Sequence, residues 1–401
     1  MGTLLLLIIY LAFISLGLPD SLLGSAWPVM RPELGAPIGM AGVLSMTISI
    51  GTIVSSLISG SVARRFGTGP VTLVSCILTA GALAGFSAAP SIIWLMVCAI
   101  PLGLGGGAVD SALNHFVAAR YKAHHMSWLH CFWGVGATAG PIIMASFLNG
   151  NASWRDGYQA VAGIQFTLVI VLLVSLPLWR RLAVQQSTGL GDTSTEGPSL
   201  SGNSGAGKPR LKSVMFALAC FLFYCGVETT VGLWGSSYLV KMKGLAADQA
   251  ALWVSLYYAG ITIGRFITGF VTFKLTNRQL IRTGQITTLA GTLLLLLPLP
   301  AGFSLCGLLI AGLGLSPIFP CMLHETPVRF GEARAQKIMG YQMAMAYTGS
   351  TLLPPLLGLL AGYTTIGIFP FFIATSAAAM LLFSERLNVF FGKQSTSRNP
   401  I

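Results

Sequence analysis

The sequence predicts an all-α polytopic membrane protein, with twelve transmembrane helices in two six-helix bundles. Four observations carry this. Of 401 residues, 54% are hydrophobic and 8% charged, where an ordinary soluble domain has about 25% charged residues. The apolar residues fall in runs of the roughly 20 residues a helix needs to cross the hydrocarbon core. The period-2 alternation of an outer-membrane barrel is missing. Finally, the two halves of the chain match one another at a near-constant offset.

Twelve spans follow in order: 3–30, 39–63, 70–89, 92–118, 127–149, 157–180, 213–240, 250–272, 280–300, 303–326, 336–362 and 365–388. The first carries "GSA" at 24–26, which resembles a signal-peptide cleavage site. It lacks a basic leader and runs too long, so it reads as a span. Between the sixth and seventh, "QQSTGLGDTSTEGPSLSGNSGAGKPR" has the Gly, Ser, Thr and Pro content of a flexible linker. The expected organisation is an N-terminal bundle (1–184), a cytoplasmic linker (185–212), a C-terminal bundle (213–390) and a cytoplasmic tail (391–401).

Lys and Arg set the orientation. With both termini inside, 18 of the 23 fall in inward loops and four (Arg31, Arg155, Lys241 and Lys243) in outward loops; Arg265 lies within a span. Both termini are therefore expected in the cytoplasm, in a cell (inner) membrane. The net charge of +12 is then topological. It faces acidic lipid and needs no nucleic-acid partner. The seven cysteines lie in apolar runs without a CxxC pair, and indicate neither disulfides nor a metal site. No GxxxxGK[ST], HExxH or GxSxG motif occurs; the linker's "GNSGAGKP" (202–209) has Pro where the phosphate loop needs Ser or Thr. No cofactor is expected, nor an enzyme.

The repeat is visible in three places. "DSLLG" (20–24) meets "ETTVG" (228–232) at an offset of 208; "LGLG" (102–105) meets "AGLG" (311–314), and "GSVARRFG" (60–67) meets "GFVTFKLT" (269–276), both at 209. Parallel duplication of a six-helix unit is a construction of secondary transporters.

Ionisable residues inside spans are costly and mark pathways or partners. Three of the eleven acids lie well within spans: Asp20, Asp110 and Glu228. Asp20 and Glu228 are repeat equivalents, roughly 22–26 Å from the cytoplasmic helix ends at 1.5 Å per residue. Pro19 can free a carbonyl beside Asp20 by breaking the helical ladder. An acid removed from water favours its neutral form, and can hold a proton until a cavity opens. Asp110 and Asn114 are i and i+4, on one helix face.

The chain resembles the major facilitator superfamily along essentially its whole length, and within it the fucose–galactose–glucose:proton symporter family. The likeness is carried by Asp20 in the first span, "GLGGGAVDSALNHF" (103–116), "WLHCFWGVGATAGP" (128–141), "GVETTVGLW" (226–234) and "GLGLSPIFP" (312–320). The resemblance implies that the first helix of each half lines a central cavity. It implies that the carboxylates at Asp20 and Asp110 serve proton coupling and sugar binding, with Asp110 standing where the family pattern has Glu. Glu228 looks like a seventh-helix glutamate of glucose-transporter-like members. One departure stands out: the loop after the second span reads "GSVARRFGTG", with Arg64 where the family has Asp. The usual cytoplasmic charge latch is therefore in doubt in this half.

The remaining candidates complete an expected site. His130 can titrate near neutral pH. Trp133 and Trp234 lie deep enough to stack on a pyranose. Tyr257 and Gln342 can hydrogen-bond within the cavity. Arg265 is read as a structural latch to Glu325 or Glu332. Six other tryptophans near span ends, among them Trp27, Trp154 and Trp179, read as interfacial anchors. Proton coupling is assigned to Asp20, Asp110 and Glu228, and substrate binding to Asp110, Asn114, Glu228, His130, Trp133, Trp234, Tyr257 and Gln342; no residue is catalytic.

The expected function is cation-coupled uptake, with a proton or sodium ion, of a monosaccharide or similar small polyol. The working unit is a monomer. The reason is three buried acids with no fixed basic partner, offering acceptors to a neutral, hydroxyl-rich solute. "GVGATAGP" (134–141) also fits the fifth-helix motif of proton-coupled drug exporters, which is the alternative. A non-transporting sensor is the distant one.

Overall fold

The computed structural model describes residues 2–121, 123–149, 152–188, 211–271 and 274–397. Seven α-helices form the first half: α1 (Gly2–Asp20), α2 (Leu22–Glu33), α3 (Met40–Phe66), α4 (Thr68–Ser87), α5 (Ile92–Arg120), α6 (Ala123–Leu148) and α7 (Trp154–Thr188). Seven form the second: α8 (Leu211–Lys243), α9 (Ala247–Val271), α10 (Asn277–Leu296), α11 (Ala301–Leu315), α12 (Ile318–Phe330), α13 (Glu332–Tyr363) and α14 (Phe369–Ser397). Among the described residues there is no strand.

Among the described residues, fourteen α-helices make twelve passes because two spans are broken. The first is interrupted at Ser21, directly after Pro19 and Asp20. The other is interrupted at Ser316 and Pro317. Eleven passes are long and apolar enough to cross a membrane by length and composition alone. The pass without this property is α10, whose first half, "NRQLIRTGQITT", is polar. It starts on a Thr276 cap that forms a capping box with Gln279 and packs against α11 and α14. The expected linker falls largely on 189–210, outside the described residues; α14 runs helically into the region read as a tail.

The duplication is legible in the packing. Contacts α3–α5, α4–α5, α4–α7 and α1–α6 in the first half recur as α9–α11, α10–α11, α10–α14 and α8–α13 in the second. The glycines sharpen the match. A Cβ on Gly103 would meet the Ile48 carbonyl oxygen at 2.1 Å, and one on Gly312 the Tyr257 carbonyl oxygen at 2.3 Å. Each member of the second pair stands 209 positions after its counterpart. Gly105 against Ser75 and Gly314 against Gly284 repeat this at the same offset. Small residues let helix backbones approach where no hydrophobic force drives association within lipid.

The halves meet through α2–α8, α3–α13 and α6–α9. Gly24 lies against Gly232 and Leu233, Gly39 against Gly358, and Gly42 against Pro355. These approaches gather on the side of the membrane away from the N-terminus. Trp27, Trp154 and Trp179 are buried in the bundles rather than anchored at the interface as expected. Trp154 donates its indole N–H to Glu33 Oε2 at 2.5 Å, because an aromatic N–H removed from water needs an acceptor.

Overpacking a helix contact costs about 1–3 kcal/mol. Gly136, whose Cβ would sit 2.0 Å from the Ile14 carbonyl oxygen, tests this against Gly81, which has open space around it. Gly136→Val is expected to lower the thermal unfolding midpoint of detergent-purified protein by several degrees, and Gly81→Val to leave it unchanged.

Candidate functional site

The acids expected to matter are brought together at mid-membrane. Asp20 ends α1 and is exposed, though it lies in the middle of the 30-residue span Leu4–Glu33. Its Oδ2 accepts the indole N–H of Trp133 on α6 at 2.8 Å. Asp110 and Glu228 are both within its electrostatic reach. Its open surface therefore faces the interior between the helices and not lipid.

Two glycines bring the Trp133 side chain into place. A Cβ on Gly17 would stand 2.1 Å from the Trp133 carbonyl oxygen, and one on Gly134 would stand 2.3 Å from Thr262 Oγ1. The first draws α6 onto α1, so the indole reaches Asp20. The second draws α9 onto α6, so the Arg265 guanidinium lies over the Trp133 ring at 5.4 Å. Arg265 in turn donates to Glu228 Oε1 at 3.4 Å and to the Tyr224 hydroxyl at 3.3 Å. The result is a continuous line across the two halves: Asp20, Trp133, Arg265, Glu228.

Asp110 lies on α5, where Asn114 Nδ2 donates to its Oδ1 at 2.9 Å. The other amide atom, Asn114 Oδ1, is buried without a hydrogen-bond partner. Tyr347 on α13 is within reach of Asp110 and of the Ser56 side chain on α3. His130 is exposed, lies edge-on to Phe13 at 6.1 Å, and sits within reach of Arg265.

Several expectations are corrected here. Arg265 does not latch to Glu325; its short reach from α9 finds Glu228, one helix away on α8. Glu228 therefore has a fixed basic partner, against the expectation that none of the three acids would. Glu325 instead accepts from Arg329 at 3.0 Å and pairs with Arg278 at 3.7 Å. The side chain of Glu332 lies outside those described. Trp234 is fully buried, donates to the Pro354 carbonyl oxygen at 2.9 Å and packs on Gly358, so its ring has no free face for a sugar. Tyr257 is fully buried too; its hydroxyl donates to the Glu228 carbonyl oxygen at 3.2 Å and supports the acid from behind. Gln342 accepts from Thr326 at 3.0 Å and borders a cavity of about 20 Å³ shared with Cys220 and Arg329, apart from the acids. In the "GSVARRFGTG" loop, Arg64 donates to Ser61 at 3.0 Å; among the described residues neither Arg64 nor Arg65 makes an ion pair.

Tyr224, Ser56 and Tyr347 were missed. Tyr224 had a signal: it precedes Glu228 by four, and so shares its helix face. Ser56 and Tyr347 meet only across the two halves, which no spacing reveals.

Removing one partner of a buried ion pair leaves an uncompensated charge, at about 3–5 kcal/mol, whereas removing both is often neutral. Arg265 and Glu228 have 14% and 11% of their side-chain surfaces exposed. Arg265→Met is expected to lower the thermal midpoint strongly, and the double change Glu228→Gln with Arg265→Met to recover most of it. Additive losses in this cycle would show that the two groups do not stabilise one another.

Residues 9–354 match the Major Facilitator Superfamily. The glucose/mannose transporter GlcP of Bacillus subtilis is 24% identical over 400 residues, covering 98% of this chain and 95% of GlcP. A hexuronate transporter from the same organism is 22% identical over 295 residues, covering 68% of this chain and 66% of its own length. Among solved structures, a D-xylose–proton symporter superposes with a TM-score of 0.72 at 14% identity, covering 95% of this chain and 96% of the symporter.

Proposed function

The chain belongs to the Major Facilitator Superfamily, and we propose that it is a secondary active transporter that takes up a monosaccharide or a similar small polyol together with a proton. The observation that carries this reading is the gathering of Asp20, Asp110 and Asn114 between the helices, with Asp20 exposed and Asn114 Oδ1 unpartnered. Sugar hydroxyls are donors, and a buried acceptor without a donor is costly. A polyol supplies the missing donors. The near full-length likeness to a glucose/mannose transporter supports the same solute class.

Alternating access follows from the packing. The halves close on one another at Gly24, Gly39 and Gly42 on the side away from the N-terminus, and at Gly134 and Thr262 near mid-membrane, which supports an interior that opens toward the N-terminal side. The bias of Lys and Arg supports a cytoplasmic side there, in the cell membrane. The working unit is then an inward-facing monomer surrounded by lipid, and uptake delivers solute into the cytoplasm. Outward opening requires the glycine contacts on the far side to part.

Coupling is assigned to Asp20. Ionised, it accepts the Trp133 N–H as a charge-assisted bond. Protonated, it holds that indole less strongly, and the line from Asp20 to Arg265 loosens. Its charge state thus biases contacts between the halves, as a coupled transporter requires.

Purified protein in liposomes tests the reading. A proton gradient, inside alkaline, is expected to drive D-glucose accumulation, and a sodium gradient alone to drive none. Outward movement of lipophilic cations with no sugar flux would replace this reading with the exporter. Asp20→Asn keeps the acceptor oxygen but cannot release a proton. Uphill accumulation should fall to background while exchange of internal for external sugar survives. Asp110→Asn should weaken both, because Asp110 is assigned to the sugar. Parent-like accumulation by Asp20→Asn would make Asp20 structural.

A further inference from the structure

We infer that Glu228 is a specificity-determining residue: by occupying Arg265 it leaves the site without a cation to offer, so that a neutral polyol is accepted and its carboxylate analogue is rejected. This rests on the sugar-transport reading above and narrows it to uncharged substrates.

Arg265 is the one Lys or Arg among the described residues that stands near the interior acids; the others gather at span ends and loops. A guanidinium is a planar fork that grips a carboxylate by two parallel hydrogen bonds. Here Glu228 Oε1 and the Tyr224 hydroxyl take one nitrogen of the fork, at 3.4 and 3.3 Å, and the Trp133 ring lies against the guanidinium at 5.4 Å. Beyond that ring lies Asp20, open to the interior. Arg265 is therefore one ring away from where a solute sits, with its charge compensated by Glu228.

The charges around the interior then add up in one direction. Three carboxylates face one guanidinium, and Glu228 takes that guanidinium. Asp20 and Asp110 are left with neutral partners, Trp133 and Asn114. An entering anion meets like charge at Asp110, and at Asp20 whenever that acid has released its proton, with no free counter-charge, in surroundings of low dielectric where this is heavily disfavoured. A neutral polyol meets only acceptors. Rejection by an arranged repulsion is a general route to specificity.

The repeat shows that packing does not demand this pair. The position 209 residues before Arg265 is Ser56, and the acid equivalent to Glu228 is Asp20. In the first half the helix contact at Ser56 is met by a hydroxyl donating to the Gly107 carbonyl oxygen at 3.0 Å. A cation was built into one half alone, together with the acid that cancels it.

The test measures inhibition of tritiated D-glucose uptake by D-glucuronate and by D-glucuronamide, its uncharged near-isostere. In the unmodified protein glucuronamide is expected to compete, and glucuronate to compete at least about a hundredfold more weakly, the scale of a buried like-charge contact. In Glu228→Gln the freed Arg265 should improve glucuronate inhibition tenfold or more relative to glucuronamide. In Glu228→Gln with Arg265→Gln that gain should vanish. Equal inhibition by the two analogues in the unmodified protein overturns the inference while the sugar-transport reading stands, and so does a Glu228→Gln protein that is folded and no better with glucuronate. Absence of any D-glucose uptake or binding overturns the reading beneath it and the inference together. If Glu228→Gln does not fold, the comparison of analogues in the unmodified protein decides.

Discussion

A tryptophan held between a carboxylate and a guanidinium ties the two halves of this protein together at the middle of the membrane. The indole N–H of Trp133 needs an acceptor where water is scarce, and Asp20 provides it at 2.8 Å. The ring face carries negative charge density, and Arg265 lies over it at 5.4 Å; such contacts reach about 2 kcal/mol when desolvated. Neither contact forms unless three backbones come close. Gly17 and Gly134 allow that approach, and the interruption at Ser21 leaves Asp20 at a helix end, where its side chain escapes the crowding of a continuous helix. The site is thus a product of backbone packing first and of side-chain chemistry second.

Duplication supplied the frame and divergence supplied the chemistry. Backbone approaches recur at one offset, glycine for glycine, because shape must be kept for two bundles of the same design to close on one another. The polar positions were free to differ. Glu228 faces Arg265, whereas Asp20 and Ser56, their counterparts, face no cation of their own half. The second half therefore holds a compensated pair whose charge is stable. The interior acids of the first half, Asp20 and Asp110, have the neutral partners Trp133 and Asn114.

Much of this was legible in the sequence. Twelve passes, the offset of 208–209 and the three intramembrane acids all follow from composition, hydropathy and repetition, which are local or periodic signals. The pass formed by α10 was read as the span 280–300, although its composition alone does not qualify it. The pairing of Arg265 was not legible. Its partner lies 37 residues away on another helix, and the "GITIGRFITGF" stretch reads equally well as a latch near the membrane surface. Trp133 and Trp234 looked alike as deep tryptophans. Which one meets the acids depends on crossing points of helices, set by Gly17 and Gly134 for Trp133 and by Gly358 for Trp234. Crossing points are fixed by tertiary contact and leave no periodic trace.

The presence of a carboxylate in the middle of the first span can now be understood through the same contacts. An isolated charge at that depth is strongly disfavoured. Asp20 avoids isolation in two ways that differ in kind: a charge-assisted bond from Trp133, and an open surface toward the interior where water enters from one side of the membrane. The bond persists as long as α1 and α6 stay packed, since both lie in the same half. The water does not persist, because its access depends on how the two halves meet. In the proposed transport cycle, a group stabilised partly by a permanent contact and partly by a removable one is stable in each state, yet differs in its affinity for a proton between them. Glu228 lacks that property, because its compensating charge on Arg265 is carried by its own half and stays with it. The placement of acid beside tryptophan in one half, and acid beside arginine in the other, is what separates a group that can respond to opening from one that cannot.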